Sequence, residues 1–300
     1  MRHHPTTPPP PLGRLHDAGG RDLWLHRSGE GGPAVVFLPG AGVVGLDFLN
    51  VHERVAEFTT SVLYDRAGTG WSDAAELPRS AADVTDELRA LLRAADVPGP
   101  YLLVGHSLAG VYARHYAQRF PGEVAALLLL DPYHEDNTTR MPRQALQMQE
   151  QMRDQPVPEP SEEVIEMFRT LFAQKLAHWP QSVREPLIEH HLAHWRTGMR
   201  EMENLDEVGN ELRHAADVPD APDVPLIVLS ASGHDPARAA QVPEDLERAI
   251  NEVKLALHAE LADAAPDGLH RVLDDAGHNW MHVDRPDAVL RAIHDLLERP

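Results

Sequence analysis

The segment Gly105-His106-Ser107-Leu108-Ala109-Gly110 sets a serine among small residues where a short apolar run, Tyr101 to Val104, meets a helical pattern from about Leu108 to Arg119. A sharp strand-to-helix turn strains the residue at its apex and admits only small residues two before and two after it, the positions of Gly105 and Ala109. Such a turn exposes the Ser107 hydroxyl at a helix N-terminus, where the dipole and free N–H groups favour negative charge. A neutral hydroxyl is a poor nucleophile until a base takes its proton. His278, in Asp275-Ala276-Gly277-His278-Asn279, follows the last expected strand, and a loop leaving that strand's carboxyl end opens on the same sheet edge as the turn. A serine so flanked can also act only as a helix cap; the chain order of the other groups favours acyl-transfer chemistry.

An acid that orients the imidazole has two candidates, Asp131 at the end of the strand after the turn and Asp235 after the next core strand, in Ser230-Ala231-Ser232-Gly233-His234-Asp235. An oxyanion would be met by the backbone N–H of Leu108 together with one from Pro39-Gly40-Ala41-Gly42, that of Ala41. His190 and His194 stand at metal-clamping spacing on one predicted helix, but with no acidic third ligand beyond Glu189, so no metal is expected.

The elements that must position these groups alternate as in an α/β fold. Arg14 to Ala18 and Leu23 to Arg27 flank Gly19-Gly20 as a hairpin, and Ala34 to Leu38 and Ser61 to Tyr64 are short apolar strands. Ser80 to Ala95 carries Val84, Leu88, Leu91 and Leu92 at helical spacing; Val124 to Leu130 reads as a buried parallel strand. Between Pro132 and Asp223 helical patterns dominate, at Arg143 to Arg153, Ser161 to His178 and Ser182 to His214, with six of the eight methionines. The α/β pattern resumes with strands Pro225 to Leu229 and Leu269 to Leu273 and helices Pro243 to Leu261 and Pro286 to Leu297. The expected organisation is a disordered Pro-rich tail over 1–13, a core over 14–132 and 223–300, and an inserted helical cap over 133–222.

From about Arg14 to Leu297 the chain resembles the α/β-hydrolase superfamily, on Leu38-Pro39-Gly40-Ala41-Gly42, Tyr64-Asp65-Arg66-Ala67-Gly68-Thr69-Gly70-Trp71-Ser72-Asp73, the serine turn and Ala276-Gly277-His278-Asn279. The resemblance implies a mostly parallel eight-stranded sheet flanked by helices, with the cap above it. The Asp-Arg-x-Gly-x-Gly-x-Ser stretch is similar to the subgroup of proline iminopeptidases, perhydrolases, lactonases and bacterial esterases. In the superfamily the acid usually follows the seventh strand in a Gly-x-x-Asp turn, yet aligning Ala231 with that Gly puts His234, not Asp235, in its place. In a second branch the acid ends the sixth strand, and Asp131 matches that pattern without adjustment. Serine at the nucleophile position disfavours epoxide hydrolase and haloalkane dehalogenase chemistry, which needs a carboxylate there. Hydrolysis of a carboxylic ester or lactone is the expected activity, with no cofactor; an amide hydrolase of iminopeptidase type, with Glu201 or Glu203 binding a free amine, and a non-catalytic ligand receptor are the alternatives.

Composition narrows the field further. The formal net charge of −20 argues against nucleic acid as a partner, and no run reaches the ~18 apolar residues of a membrane helix. The Arg/His- and Pro-rich start lacks an apolar core, so it reads as a tail and not a signal peptide, and a cytoplasmic location is expected. With no cysteine, thiol catalysis and Cys-ligated zinc are excluded. The expected partner is a small-molecule ester or lactone, and the chain could pair with a second copy as a homodimer.

Overall fold

The computed structural model describes residues 9–153, 157–214, 223–233 and 242–299. Eight strands form one sheet: β1 (Arg14–Asp17), β2 (Asp22–Ser28), β3 (Ala34–Leu38), β4 (Ser61–Tyr64), β5 (Tyr101–His106), β6 (Val124–Leu130), β7 (Leu226–Ala231) and β8 (Leu269–Leu273). Their order is β1-β2-β4-β3-β5-β6-β7-β8. β1 pairs antiparallel with β2 and β2 with β4, while every pairing from β4 through β3 to β8 is parallel. The hairpin at Gly19-Gly20 and each strand predicted from the apolar runs are present.

Strand residues alternate between two core layers, as the two-residue period of a pleated sheet demands. Val36, Leu38 and Leu103 face one layer; Val35, Phe37 and Val104 face the other. The first layer is covered by α2 (Ala81–Ala94) and α3 (Ala109–Arg119). The second is covered by α1 (Leu49–Val55), a helix the sequence reading did not anticipate, and by the C-terminal helix Pro286–Leu297. α2 starts where expected because Ser80 Oγ accepts the Asp83 N–H at 3.0 Å, and burying its Leu88 completely contributes about 2 kcal/mol.

Between β6 and β7 six helices and no strand occur among the described residues: α4 (Asn137–Arg140), α5 (Arg143–Arg153), α6 (Glu162–Lys175), α7 (Gln181–Ala193), α8 (Thr197–Glu201) and α9 (Leu205–His214). The single helical stretch expected over Ser182 to His214 is therefore broken into three. α7 ends at His194, whose Nδ1 meets the His190 carbonyl at 2.9 Å, and Gly198 within α8 lies close against Gly42. After β7 come α10 (Glu244–Asp263), α11 (Met281–Asp284) and α12 (Pro286–Leu297). Residues 1–8 of the expected tail lie outside the described residues; its other end is tied to the core, since Trp24 Nε1 donates to the Leu12 carbonyl at 2.7 Å.

Candidate active site

Ser107 stands at the apex of the turn from β5 into α3 with φ of 53°, the left-handed region that a side chain normally avoids. Backbone bonds hold it there: its N–H donates to Leu130 O at 3.0 Å, and its carbonyl accepts from Gly110 at 2.9 Å and Tyr133 at 3.0 Å. Gly105 is required by close approach, because a Cβ on it would lie 2.7 Å from the Ala109 carbonyl oxygen.

His278 leaves the loop after β8 and lies 3.0 Å from Ser107 Oγ through Nε2; its Nδ1 lies 2.6 Å from Asp131 Oδ2. Asp131 follows β6 with φ of 42° and is buried. Burial alone would raise its carboxyl, but the hydrogen bond from His278 and the nearby Lys254 ammonium outweigh it and hold the group well below the usual carboxylate range. An ionised carboxylate can only accept, so Nδ1 carries the proton and Nε2 is free to accept the serine hydroxyl. Asp131 Oδ1 is satisfied by the Ala231 N–H at 3.0 Å. Asp235, the other acid considered, lies outside the described residues.

Three histidine rings back this line. His106, the last residue of β5, meets the His278 carbonyl through Nε2 at 2.9 Å and so fastens the loop that carries the imidazole. Burial lowers His106 to about 3, keeping it neutral. His258 on α10 contacts the Pro132 carbonyl at 2.8 Å and Ser230 Oγ at 2.6 Å, and burial lowers it to about 4. His282 stacks on Phe48, with ring centroids 4.2 Å apart.

The loop of Pro39, Gly40, Ala41 and Gly42 runs beside the serine: a Cβ on Gly40 would come within 3.1 Å of Ser107 Cβ. Among the described residues neither the Ala41 nor the Leu108 N–H has a protein acceptor, so both are available to an incoming oxyanion. Arg66, from the loop after β4, bonds the Pro39 carbonyl through Nη1 and the Gly40 carbonyl through Nη2 at 2.9 Å. Glu201, at the end of α8, accepts from Arg66 at 2.6 Å and from the Gly42 N–H at 2.8 Å. Asp65 completes the support by accepting from the Gly45 and Trp71 N–H groups at 2.8 and 2.9 Å, and burial raises its carboxyl to about 7.

A cavity of about 260 Å³ opens on Ser107, His278, Tyr133, His134 and Lys254. A second, apolar cavity of about 560 Å³ begins at Gly42 and runs among Val164, Phe168, Phe172, Leu192 and Trp195. The histidines of α7 are used in packing: His190 stacks on Trp71 at 5.1 Å, and His191 bonds Asp47 at 2.9 Å. No group of three or more His, Cys, Asp or Glu side chains suited to a metal occurs among the described residues.

The sequence reading named Ser107, His278, Asp131, Ala41 and Leu108, and all five lie at this one edge of the sheet. It assigned no role to Lys254, His258, His106 or Arg66, and it considered Glu201 only as a substrate contact. The Asp-Arg-x-Gly segment was the available signal for Arg66. Lys254 carried no local signal at all.

A serine, a histidine and a carboxylate in hydrogen-bonded line at the carboxyl edge of a mostly parallel eight-stranded sheet are characteristic of one class of fold. The model of the alpha/beta hydrolase family matches residues 35–292, and the chain belongs to that family. Among curated relatives, a pimeloyl-[acyl-carrier protein] methyl ester esterase of Chromobacterium violaceum is 39% identical over 109 residues, 36% of this chain and 40% of that protein. The matches span less than half the length of the first curated relatives, 37% and 42%. Of solved structures, the enol-lactonase from Burkholderia xenovorans LB400 superposes with a TM-score of 0.61 at 17% identity, covering 95% of this chain and 100% of that one. A Vigna radiata epoxide hydrolase gives 0.70 at 14% identity, covering 95% and 98%. At these identities the structures establish the fold alone.

Proposed function

We propose that this protein is a serine hydrolase that cleaves a carboxylic ester or lactone of a small apolar or aromatic molecule through an acyl-enzyme. The observation that carries the reading is the line from Ser107 Oγ through His278 to Asp131, with contacts of 3.0 and 2.6 Å. His278 Nε2 takes the serine proton as Oγ attacks the carbonyl carbon, and the N–H groups of Leu108 and Ala41 receive the oxyanion. The tetrahedral centre collapses, and the leaving alkoxide takes the proton from Nε2; from a lactone it stays tethered to the acyl group. His278 then removes a proton from water, the hydroxide attacks the acyl carbonyl, and Ser107 leaves with that proton as the carboxylic acid forms. Asp131 stabilises the imidazolium in both halves. These steps call on no cofactor.

The apolar cavity beginning at Gly42 supports an apolar substrate, and we read the insertion over 133–222, whose described residues carry six helices, as a cap on the core segments 14–132 and 223–300. The relative named for methyl ester cleavage supports ester chemistry. The iminopeptidase reading needs a free acidic residue, Glu201 or Glu203, facing the substrate amine; Glu201 is already committed to Arg66 and Gly42, and Glu203 is exposed and lines neither cavity. Among the described residues no helix is long and apolar enough to cross a membrane.

The test is turnover of a panel of p-nitrophenyl esters and aromatic lactones by the wild type and by Ser107→Ala. Hydrolysis by the wild type that vanishes in Ser107→Ala is the expected result. Equal turnover by the two proteins would refute the reading.

A further inference from the structure

Lys254 is one of only two lysines in the chain, and it reaches the site from α10. Its Nζ lies 3.2 Å from each Asp131 oxygen and donates to the Ala231 carbonyl at 2.5 Å. It shares Asp131 Oδ2 with His278 Nδ1, which is 2.6 Å away on the same oxygen. Two groups touching one atom at those distances are no more than about 6 Å apart, well inside the range of an unscreened charge interaction.

A buried carboxylate beside a catalytic histidine ordinarily stabilises the imidazolium and strengthens the base. A cation on the same oxygen works the other way, because it neutralises part of the carboxylate's charge and repels the protonated ring. We propose that Lys254 is a positioning residue that ties Asp131 to the end of β7 and offsets part of the carboxylate charge that faces the His278 ring. The inference rests on the roles of Ser107, His278 and Asp131 proposed above.

The other titratable groups around the pair do not supply that charge. His258 on α10 approaches Asp131 to 3.9 Å but burial holds it at about 4. His270 on β8 reaches the site only through Ser230, at 2.7 Å, and burial lowers it. His106 faces the His278 ring at 5.2 Å and is lowered to about 3, His282 behind it to about 4, and His134, which lines the same cavity, is also lowered by burial. Among the described residues that leaves Lys254 as the cation meeting Asp131.

The experiment is the pH dependence of kcat/KM on a soluble aryl ester for the wild type, Lys254→Met, Lys254→Gln and Lys254→Arg, with folding checked by circular dichroism. Beside it, the His278 ring is titrated by NMR in a Ser107→Ala background with and without Lys254→Gln, its signal assigned by comparison with His278→Gln. Loss of the cation lets Asp131 hold the imidazolium more firmly, so the acid limb and the NMR titration both move to higher pH by about one unit. Lys254→Arg keeps the wild-type limb. Should Lys254→Met fail to fold, Lys254→Gln, which keeps a donor for Ala231 and Asp131 without the charge, carries the test. A His278 titration that moves by less than about 0.3 unit, or moves down, overturns the proposal. The NMR arm needs no substrate, so it reads Lys254 even where the wild type turns over no ester, an outcome that would count against the hydrolase reading and not against this one.

Discussion

Glu201 in α8 and Arg66 in the loop after β4 meet at 2.6 Å with only 4% and 2% of their side chains exposed. Taking two charges out of water is costly, and their mutual attraction alone seldom compensates. Here the remaining polar atoms are used as well: Arg66 holds the carbonyls of Pro39 and Gly40, and Glu201 holds the N–H of Gly42. The pair thus joins the helical segment to the loop that carries the Ala41 N–H.

Removing one partner of such a pair strands the other. Glu201→Ala is expected to lose about 3–5 kcal/mol of stability and most of its kcat, with KM less affected. Glu201→Gln, which keeps an acceptor for Gly42, should lose less of both. Urea denaturation and steady-state kinetics measure the two effects, and variants within about 0.5 kcal/mol of wild type would show that the pair does not support the loop.

Gly198 and Gly42 form the contact beside this pair. A Cβ on Gly198 would stand 3.0 Å from both the N and the Cα of Gly42, backbone atoms that cannot swing aside. Gly198→Ala should therefore push the loop away, at a cost of about 1–3 kcal/mol, and lower turnover. Met199→Ala, a change at an adjacent side chain that is 40% exposed, is the control and should leave both nearly unchanged. Equal behaviour of the two variants would contradict the contact.

Asp131→Asn replaces an acceptor with a group that can donate to Nδ1, which favours the wrong imidazole tautomer. A fall in kcat of about 10⁴-fold is expected, while Asp235→Asn should change kcat by less than about threefold. Measuring both variants at saturating ester decides between them; a large loss in Asp235→Asn alone would transfer the role to that residue.

Six histidines bear on the acid limit of stability. Burial lowers His52, His106 and His190 to about 3, and His115, His258 and His282 to about 4. Unfolded imidazoles titrate near 6.5, so as pH falls below about 6.5 the unfolded chain takes protons that the folded chain refuses, and stability drops until the folded values are reached. Asp65, raised to about 7, acts in the opposite direction over the same window because its folded carboxyl is protonated first. Six imidazoles against one carboxyl leave the unfolded chain binding more protons across this window, so stability falls as the pH falls. The depressed carboxyl of Asp131 adds its own loss only further down, below the unfolded carboxylate value near 3.9. Urea midpoints between pH 7.5 and 5 should fall steeply, and a flat profile would refute the account.

Much of the architecture is local, and for that reason it was readable in the residues themselves. The two-residue and 3.6-residue periods of apolar side chains specify strands and helices over stretches shorter than the chain's own turns, and β1 to β8 lie where those periods put them. Ser107 was readable because a strained turn demands small neighbours within two residues on each side, and His278 because it follows the last strand. The break of α7 at His194 was not readable, since the apolar period continues through it, and the helix that follows packs through a contact between residues far apart in the chain, Gly198 against Gly42.

The residues that support the candidate site are of the second kind. Arg66 and Glu201 are 135 positions apart, and Asp131 and Lys254 are 123 apart. No period or motif links such pairs; an isolated lysine or glutamate on a helix reads as a solvated face. Only closure of the sheet and docking of the helices on it bring these charges within 3.2 Å of one another, where burial turns them into partners. The sequence alone thus determined the strands, the serine turn and the histidine loop, and the tertiary structure decided which distant charges hold them.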